Sequence, residues 1–311
     1  MKSQNYNTNL LIDSNIPDWH FPMLNDELRN IKYFEAIKKS AKDKVVLDLG
    51  SGSGILSMMA LEAGAKKVFA VEQDQALINI SKQIFKDNNM LSDKLVIINS
   101  AASKLKLGIN IDSPIDLVVT EVFDCGLIGE GCLESISHIK SFLSSEGLIL
   151  PKKADIYGCL VNSDKLREKY HLDGKIMGFD LTAFSELRQV GAMDNAKYYQ
   201  DLKIVSDIRI IKSLNFNRNF SNIIEEKISF DIKESCFVDA MILWFNLHLS
   251  DGIHFSSFLS AETHWDQWFL FPRYPIRTSS EKTLSVKLNN TTTGKIFPIQ
   301  WKTNEAVENA F

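Results

Sequence analysis

Apolar runs alternate with amphipathic stretches through the first half of the chain. Leu28 to Ser40 carries helical spacing, with Leu28, Ile31, Phe34 (or Ala36) and Ile37 as the expected inner set. Val45-Val-Leu-Asp-Leu49 reads as a buried strand, and Ile55 to Ala63 as a helix that ends at Gly64. Val68 to Val71 is the next strand. Asp74 to Lys86 is the next helix, with Asp74 placed to cap it. Leu95 to Ile98 and Leu117 to Val119 are further strands. Strands alternating with helices predict an α/β fold with a parallel, doubly wound, Rossmann-like sheet.

The pattern changes near Pro151. Beyond it come β-branched and aromatic runs: 204–211, 228–232, 238–249, 268–271, 284–288 and 296–301. Turn signals such as Leu249-Ser-Asp-Gly252 and Asn289-Asn-Thr-Thr-Thr-Gly294 separate several of them. This predicts an antiparallel β domain. Residues 161–200 are more helical and more polar, as an insertion projecting from that domain would be. The expected division is an N-terminal segment and helix over 1–40, a Rossmann-like domain over 41–150 and a β-barrel-like domain over 151–311.

The chain has 311 residues, 45% of them apolar and 24% charged, with a net charge of −4. Such a balance fits a soluble globular protein and argues against general affinity for nucleic acid, which basic patches supply. Cys125, Cys132, Cys159 and Cys236 form no CxxC pair, and the six histidines are scattered, so no metal site is expected. No apolar run approaches the roughly 20 residues that span a bilayer. The polar start, Met1 to Asn9, lacks the apolar centre of a signal peptide. A cytoplasmic protein is expected.

Two segments carry candidate chemistry. Asp48-Leu-Gly-Ser-Gly-Ser-Gly54 joins a strand to a helix, and Gly50, Gly52 and Gly54 permit a tight turn with close backbone approach to a ligand. The following strand ends in Glu72, placed to accept hydrogen bonds from both hydroxyls of a ribose. Downstream, Glu121-Val-Phe-Asp-Cys-Gly-Leu-Ile-Gly-Glu130 brackets a short loop with carboxylates. Such a pair can clamp a planar cation that presents several N–H donors, and guanidinium matches that geometry bidentately.

The run Val-Leu-Asp-Leu-Gly-Ser-Gly-Ser-Gly-Ile-Leu-Ser is similar to motif I of class I S-adenosylmethionine-dependent methyltransferases. The double-glutamate loop, Thr263-His-Trp265 and Met23-Leu-Asn-Asp-Glu-Leu-Arg29 together resemble the protein arginine methyltransferase family. Leu150-Pro151 and Gly178-Phe-Asp180 also sit where that family has such residues. Phe123-Asp124 and the Leu-Ile-Gly before Glu130 look closest to its monomethylating type III branch.

The resemblance implies S-adenosyl-L-methionine as cofactor and S-adenosyl-L-homocysteine as product. Asp48, Gly50, Gly52, Gly54, Glu72 and Arg29 would bind the cofactor, with Arg29 on its carboxylate and Met23 near the sulfonium. Where the family carries an acid beside the adenine, Ser103 takes the place here. Glu121 and Glu130 would hold the arginine. Asp26 and His264 match the family's Asp–His pair; His264 would orient the loop or pass a proton to solvent, and a structural hydrogen bond is the other reading. Trp265 would wall the arginine pocket, and Asp124, an added acid within the loop, and Met23, near the reacting nitrogen, would also bind the substrate. The implied activity is methyl transfer to a guanidino nitrogen, giving monomethylarginine on a protein or peptide. The alternatives are free L-arginine or another small guanidine as substrate, and a non-catalytic partner protein that keeps the fold. A homodimer is expected, built through an arm at about residues 161–195. Neither nucleic acid nor membrane is expected as a partner.

Overall fold

Five short strands rich in valine, leucine and isoleucine build one parallel sheet in this computed structural model, which describes residues 17–172, 175–259, 262–280, 282–291, 294–303 and 307–309. The expectation about Met1 to Asn9 lies outside the described residues. The strands are β1 (Val45–Leu49), β2 (Lys67–Glu72), β3 (Leu95–Asn99), β4 (Ile115–Thr120) and β5 (Leu143–Leu150), in the order β3-β2-β1-β4-β5. Their pairings are all parallel. β1, β2 and β4 are buried along nearly their whole length, as helix-covered parallel strands are. The order reverses between β1 and β4. Open α/β sheets bind ligands at such a reversal, beyond the carboxyl ends of the strands.

Helices α1 (His20–Leu24) and α2 (Glu27–Ser40) precede the sheet, and α3 (Ile55–Glu62), α4 (Gln75–Asp87) and α5 (Cys132–Ile139) follow β1, β2 and β4. Asp74 caps α4 as expected, accepting from the backbone N–H of Ala76 and Leu77 at 2.7 and 3.1 Å. The inner face of α2 matches the expected set at Ala36 and Ile37 and departs from it at Leu28 and Ile31. Leu28 and Ile31 are 37% and 46% exposed, whereas Arg29, Tyr33, Ala36 and Ile37 are buried. Polar bonds turn the helix: Tyr33 Oη donates to the Thr120 carbonyl at 2.9 Å, and Arg29 donates to Glu121. A reading by apolar spacing gives Arg29 no weight, so it selects Leu28 and Ile31 in the first turns.

Contacts divide the chain into two units. One contains residues up to 122 together with 135–152 and 249–253; the other contains 123–134, 153–248 and the residues from 254 onward. The second unit is antiparallel. Its central strand β6 (Lys153–Asn162) pairs with Ala240–Ser250, from Ala240 opposite Val161 to His248 opposite Lys153. Gln267–Leu270 and Gly191–Asp194 extend this sheet. A second sheet joins Glu225–Asp231, Thr283–Asn290, Ile296–Thr303 and Val307–Asn309. The core between strands includes Cys159, Val161, Ala240, Ile242, Trp244, Phe269 and Phe271.

The run at 204–211 forms two strands, Lys203–Ile204 and Arg209–Asn215, rather than one. Between them the buried Ser206 hydroxyl takes the Leu160 N–H at 2.9 Å, replacing a ladder carbonyl. Residues 161–200 hold a helix, Asp164–Tyr170, capped by Ser163, then short strands and 3-10 turns. Met177, Phe179, Phe184 and Leu187 project there, each at least two-thirds exposed.

Candidate active site

β1 delivers the chain into the glycine loop. The N–H groups of Gly50 and Ser51 both reach the Val71 carbonyl at 2.9 Å, which fastens the loop to the end of β2. The three glycines do different work. A Cβ on Gly50 would lie 2.4 Å from Val122 Cγ2, and one on Gly54 would lie 2.3 Å from the Phe85 ring. Those two permit close packing. Gly52, at φ +51°, faces open space. The hydroxyls of Ser51 and Ser53 and Oδ1 of Asp48 are buried and have no hydrogen-bond partner in the protein. Buried polar atoms of this kind call for a ligand or water.

Glu72 ties the loop down. Its Oε2 accepts from Gly52 N–H at 3.0 Å, and its Oε1 accepts from the N–H of Gln73 and Asp74 at 2.7 and 2.8 Å. Asp48 lies fully within the unit, with Oδ2 accepting from Ser57 Oγ at 2.7 Å. Burial pushes its pKa up to about 7 against the pull of that hydrogen bond. Beside the ends of β2 and β3 lies a cavity of about 490 Å³ lined by Gln73, Asp74, Asn99, Ser100, Ala101 and Lys104. Ser103 sits exposed on the 3-10 turn next to it. Sequence reading missed Asn99, whose amide donates to the Gln73 carbonyl at 3.1 Å and stiffens the rim. Its place at the end of β3 is the signal that could have found it.

Arg29 is 2% exposed and faces inward from α2. Its Nη2 donates to Glu121 Oε2 at 2.8 Å, and its Nη1 donates to Asn30 Oδ1 at 2.7 Å. Its Nε is buried and unpartnered. Asp26 is the N-cap of α2, accepting from Arg29 N–H at 2.9 Å, and so sets the start of the helix that carries Arg29. Met23 is buried in α1.

The double-glutamate loop leaves β4 at Glu121, which belongs to the first unit, while residues 123–134 belong to the second. Phe123 is buried and stacks on Phe216, with ring centroids 5.8 Å apart. Asp124 Oδ1 accepts from Gly129 N–H at 3.0 Å, and burial raises its pKa. Glu130 is exposed and has a left-handed backbone, φ +58°. Trp265 is buried: its Nε1 donates to the Phe123 carbonyl at 3.1 Å, and its ring packs on Phe255 and Phe245. His264 lies against it, with centroids 3.8 Å apart.

Residues 30–150 match the family described as ribosomal protein L11 methyltransferase (PrmA). The chain is 30% identical over 277 residues to an arginine N(omega)-methyltransferase of Streptomyces achromogenes subsp. streptozoticus, covering 88% of this chain and 76% of that one. It is 28% identical over 284 residues to human protein arginine N-methyltransferase 9, of which the match spans 34%. In fold it is similar to a chain of the Trypanosoma brucei PRMT1 enzyme–prozyme heterotetrameric complex with AdoHcy, at TM-score 0.79 and 22% identity, covering 93% of this chain and 95% of that one. The parallel sheet with its glycine loop thus defines a methyltransferase that uses S-adenosylmethionine. Within that class, this chain belongs to the protein arginine N-methyltransferase family. The expected α/β sheet followed by an antiparallel domain is the architecture found.

Proposed function

We propose that this arginine N-methyltransferase adds a single methyl group to a guanidino nitrogen and releases monomethylarginine. When bound, S-adenosylmethionine supplies an electrophilic methyl group on a sulfonium. Guanidinium is protonated near neutral pH and its nitrogens lack a free lone pair. Glu121 and Glu130 are the carboxylates that take its N–H groups. They draw positive charge toward the nitrogens they contact and so make the target nitrogen nucleophilic. On taking the methyl group that the bound donor would supply, the guanidino nitrogen must give up a proton. His264 and Asp26 are the candidates for orienting this step or carrying that proton away. Trp265 walls the substrate.

The observation that carries the reading is the buried Arg29–Glu121 pair. It fixes a carboxylate directly after β4, beside the reversal in strand order. Arg29 is the proposed contact for the cofactor carboxylate, and the Glu72-anchored glycine loop the cradle for its methionine and ribose. Glu121→Gln and Glu130→Gln should each lower transfer by about a thousandfold, in the range seen for groups that stabilise transition-state charge, with cofactor affinity unchanged in the Glu130 variant. Support for the single methyl group is the loop interior, where Phe123 and Asp124 are folded inward. Mass spectrometry showing mainly dimethylarginine would refute it.

Two substrates present this head group. A protein or peptide arginine is the reading supported by the relatives named for protein arginine. Free arginine is supported by the Streptomyces relative, which is named for arginine alone and matches most of both chains. Labelled-methyl transfer compared across free arginine, arginine peptides and cell extract separates them. We also propose a homodimer through the projecting arm, whose exposed Met177, Phe179, Phe184 and Leu187 suit a second copy. A monomeric mass at micromolar concentration would refute it.

A further inference from the structure

Glu130 and Leu127 both have left-handed backbones, at φ +58° and +73°. Residues with side chains adopt that region uncommonly, and they keep it only when the surroundings over-determine them. Two groups far apart in sequence hold this stretch from either side. One is Asp124. It accepts from Gly129 N–H, and its carbonyl accepts from Leu127 N–H at 2.9 Å. Its carboxylate also fills the space beside Gly129, where a Cβ would lie 2.0 Å from Oδ2.

The other is Gly294, in the turn between Thr283–Asn290 and Ile296–Thr303. A Cβ there would lie 1.8 Å from the Ile128 carbonyl oxygen and 2.7 Å from its carbon. These are backbone atoms, so the loop itself would have to move. The turn is well placed to act as a stop, because Trp268 Nε1 donates to the Ile296 carbonyl at 2.8 Å and ties the following strand down. Gly294 N–H also closes the turn on Thr291 at 2.9 Å. Every contact in this set falls within the second unit, with Glu130 itself.

We propose that Gly294 and Asp124 are positioning residues for catalysis, a latch that sets the backbone of Ile128 and Gly129 and thereby aims the Glu130 carboxylate. The proposal rests on the reading of Glu130 as a substrate carboxylate. Asp124 then acts on the loop from within and need not touch the guanidinium.

The test uses the full chain and four variants. Gly294→Ala and Gly294→Asn each add a Cβ, and asparagine tolerates a positive φ better than alanine. Both should lower kcat for transfer to arginine by about a hundredfold, the effect of a misplacement near 1 Å. KM for arginine and affinity for S-adenosylhomocysteine should stay within about threefold of wild type. Recovery in the asparagine variant alone would show strain rather than contact and overturn the stop. Asp124→Asn keeps a carbonyl acceptor for Gly129 and should retain kcat within about fivefold, whereas Asp124→Ala should lose about thirtyfold or more. Equal losses in these two would overturn the inner half of the latch.

Amide hydrogen exchange over residues 123–134 gives a readout independent of activity. It should quicken in both Gly294 variants and in Asp124→Ala while the rest of the chain is unchanged. If a Gly294 variant fails to fold, the Asp124 pair and its exchange pattern decide. Exchange at wild-type rates in folded variants overturns the proposal. Failure of the wild-type chain to methylate any guanidine instead overturns the functional reading, and the exchange result stands apart from it.

Discussion

Arg29 and Glu121 are 92 residues apart in sequence and 2.8 Å apart in the structure, with side chains 2% and 6% exposed. A buried ion pair adds little by existing, since desolvation offsets its attraction. Removing one partner is what costs, because the other charge is left behind. Arg29→Met should therefore destabilise the chain by about 3 kcal/mol in urea titrations. Arg29→Met with Glu121→Gln should recover part of that loss. A stable single variant would show that the pair does not hold α2 to β4.

Glu72 holds the proposed cofactor cradle through three backbone N–H groups, one of them on Gly52. An amide offers one acceptor oxygen, so Glu72→Gln must set an NH₂ against a donor. We expect S-adenosylhomocysteine to bind at least about tenfold more weakly, or about 1.4 kcal/mol, by calorimetry. Unchanged affinity would remove Glu72 from the proposed cradle.

Gly54 combines a φ of +84° with a Cβ position 2.3 Å from the Phe85 ring. Gly54→Ala should cost about 2–3 kcal/mol, from overpacking and left-handed strain together. Phe85→Leu opens space in α4. The double variant should then lose less than the sum of the two singles. Strict additivity would argue that strain alone is responsible.

Asp48 gives a pH signature. Burial raises its pKa to about 7, with the Glu72 charge also raising it and the Arg29 charge lowering it. An unfolded aspartate titrates near 4, so between about 4 and 7 the folded chain holds a proton that the unfolded chain releases. Its contribution is complete below the unfolded pKa and is lost as pH rises through the folded one, by at most about 1.4 kcal/mol per unit. Asp48→Asn should flatten stability against pH across that window. Parallel wild-type and variant profiles between pH 5 and pH 8 would contradict this.

Much of the parallel half was legible because the strands from β1 to β4 each carry a short apolar run. Asp74 capped its helix where the pattern put it. The β half was harder. The ladder from Lys203 to Asn215 is broken by the Ser206 hydroxyl, and no periodicity announces a side chain that replaces a carbonyl. The first turns of α2 departed from the expected face for a related reason, since their inward residues include an arginine held by an ion pair.

The site divides the same way. The chain itself determined the chemistry on offer, because glycine spacing, the acid at the end of β2 and the bracketing glutamates are local patterns. Tertiary structure decided how those groups are held. Glu121 leans on Arg29 from α2, and Gly52 hangs from Glu72. Ile128 is met by Gly294, more than a hundred and sixty residues downstream. Such contacts depend on where a carbonyl or carboxylate points once distant segments pack, and local sequence carries no record of that direction.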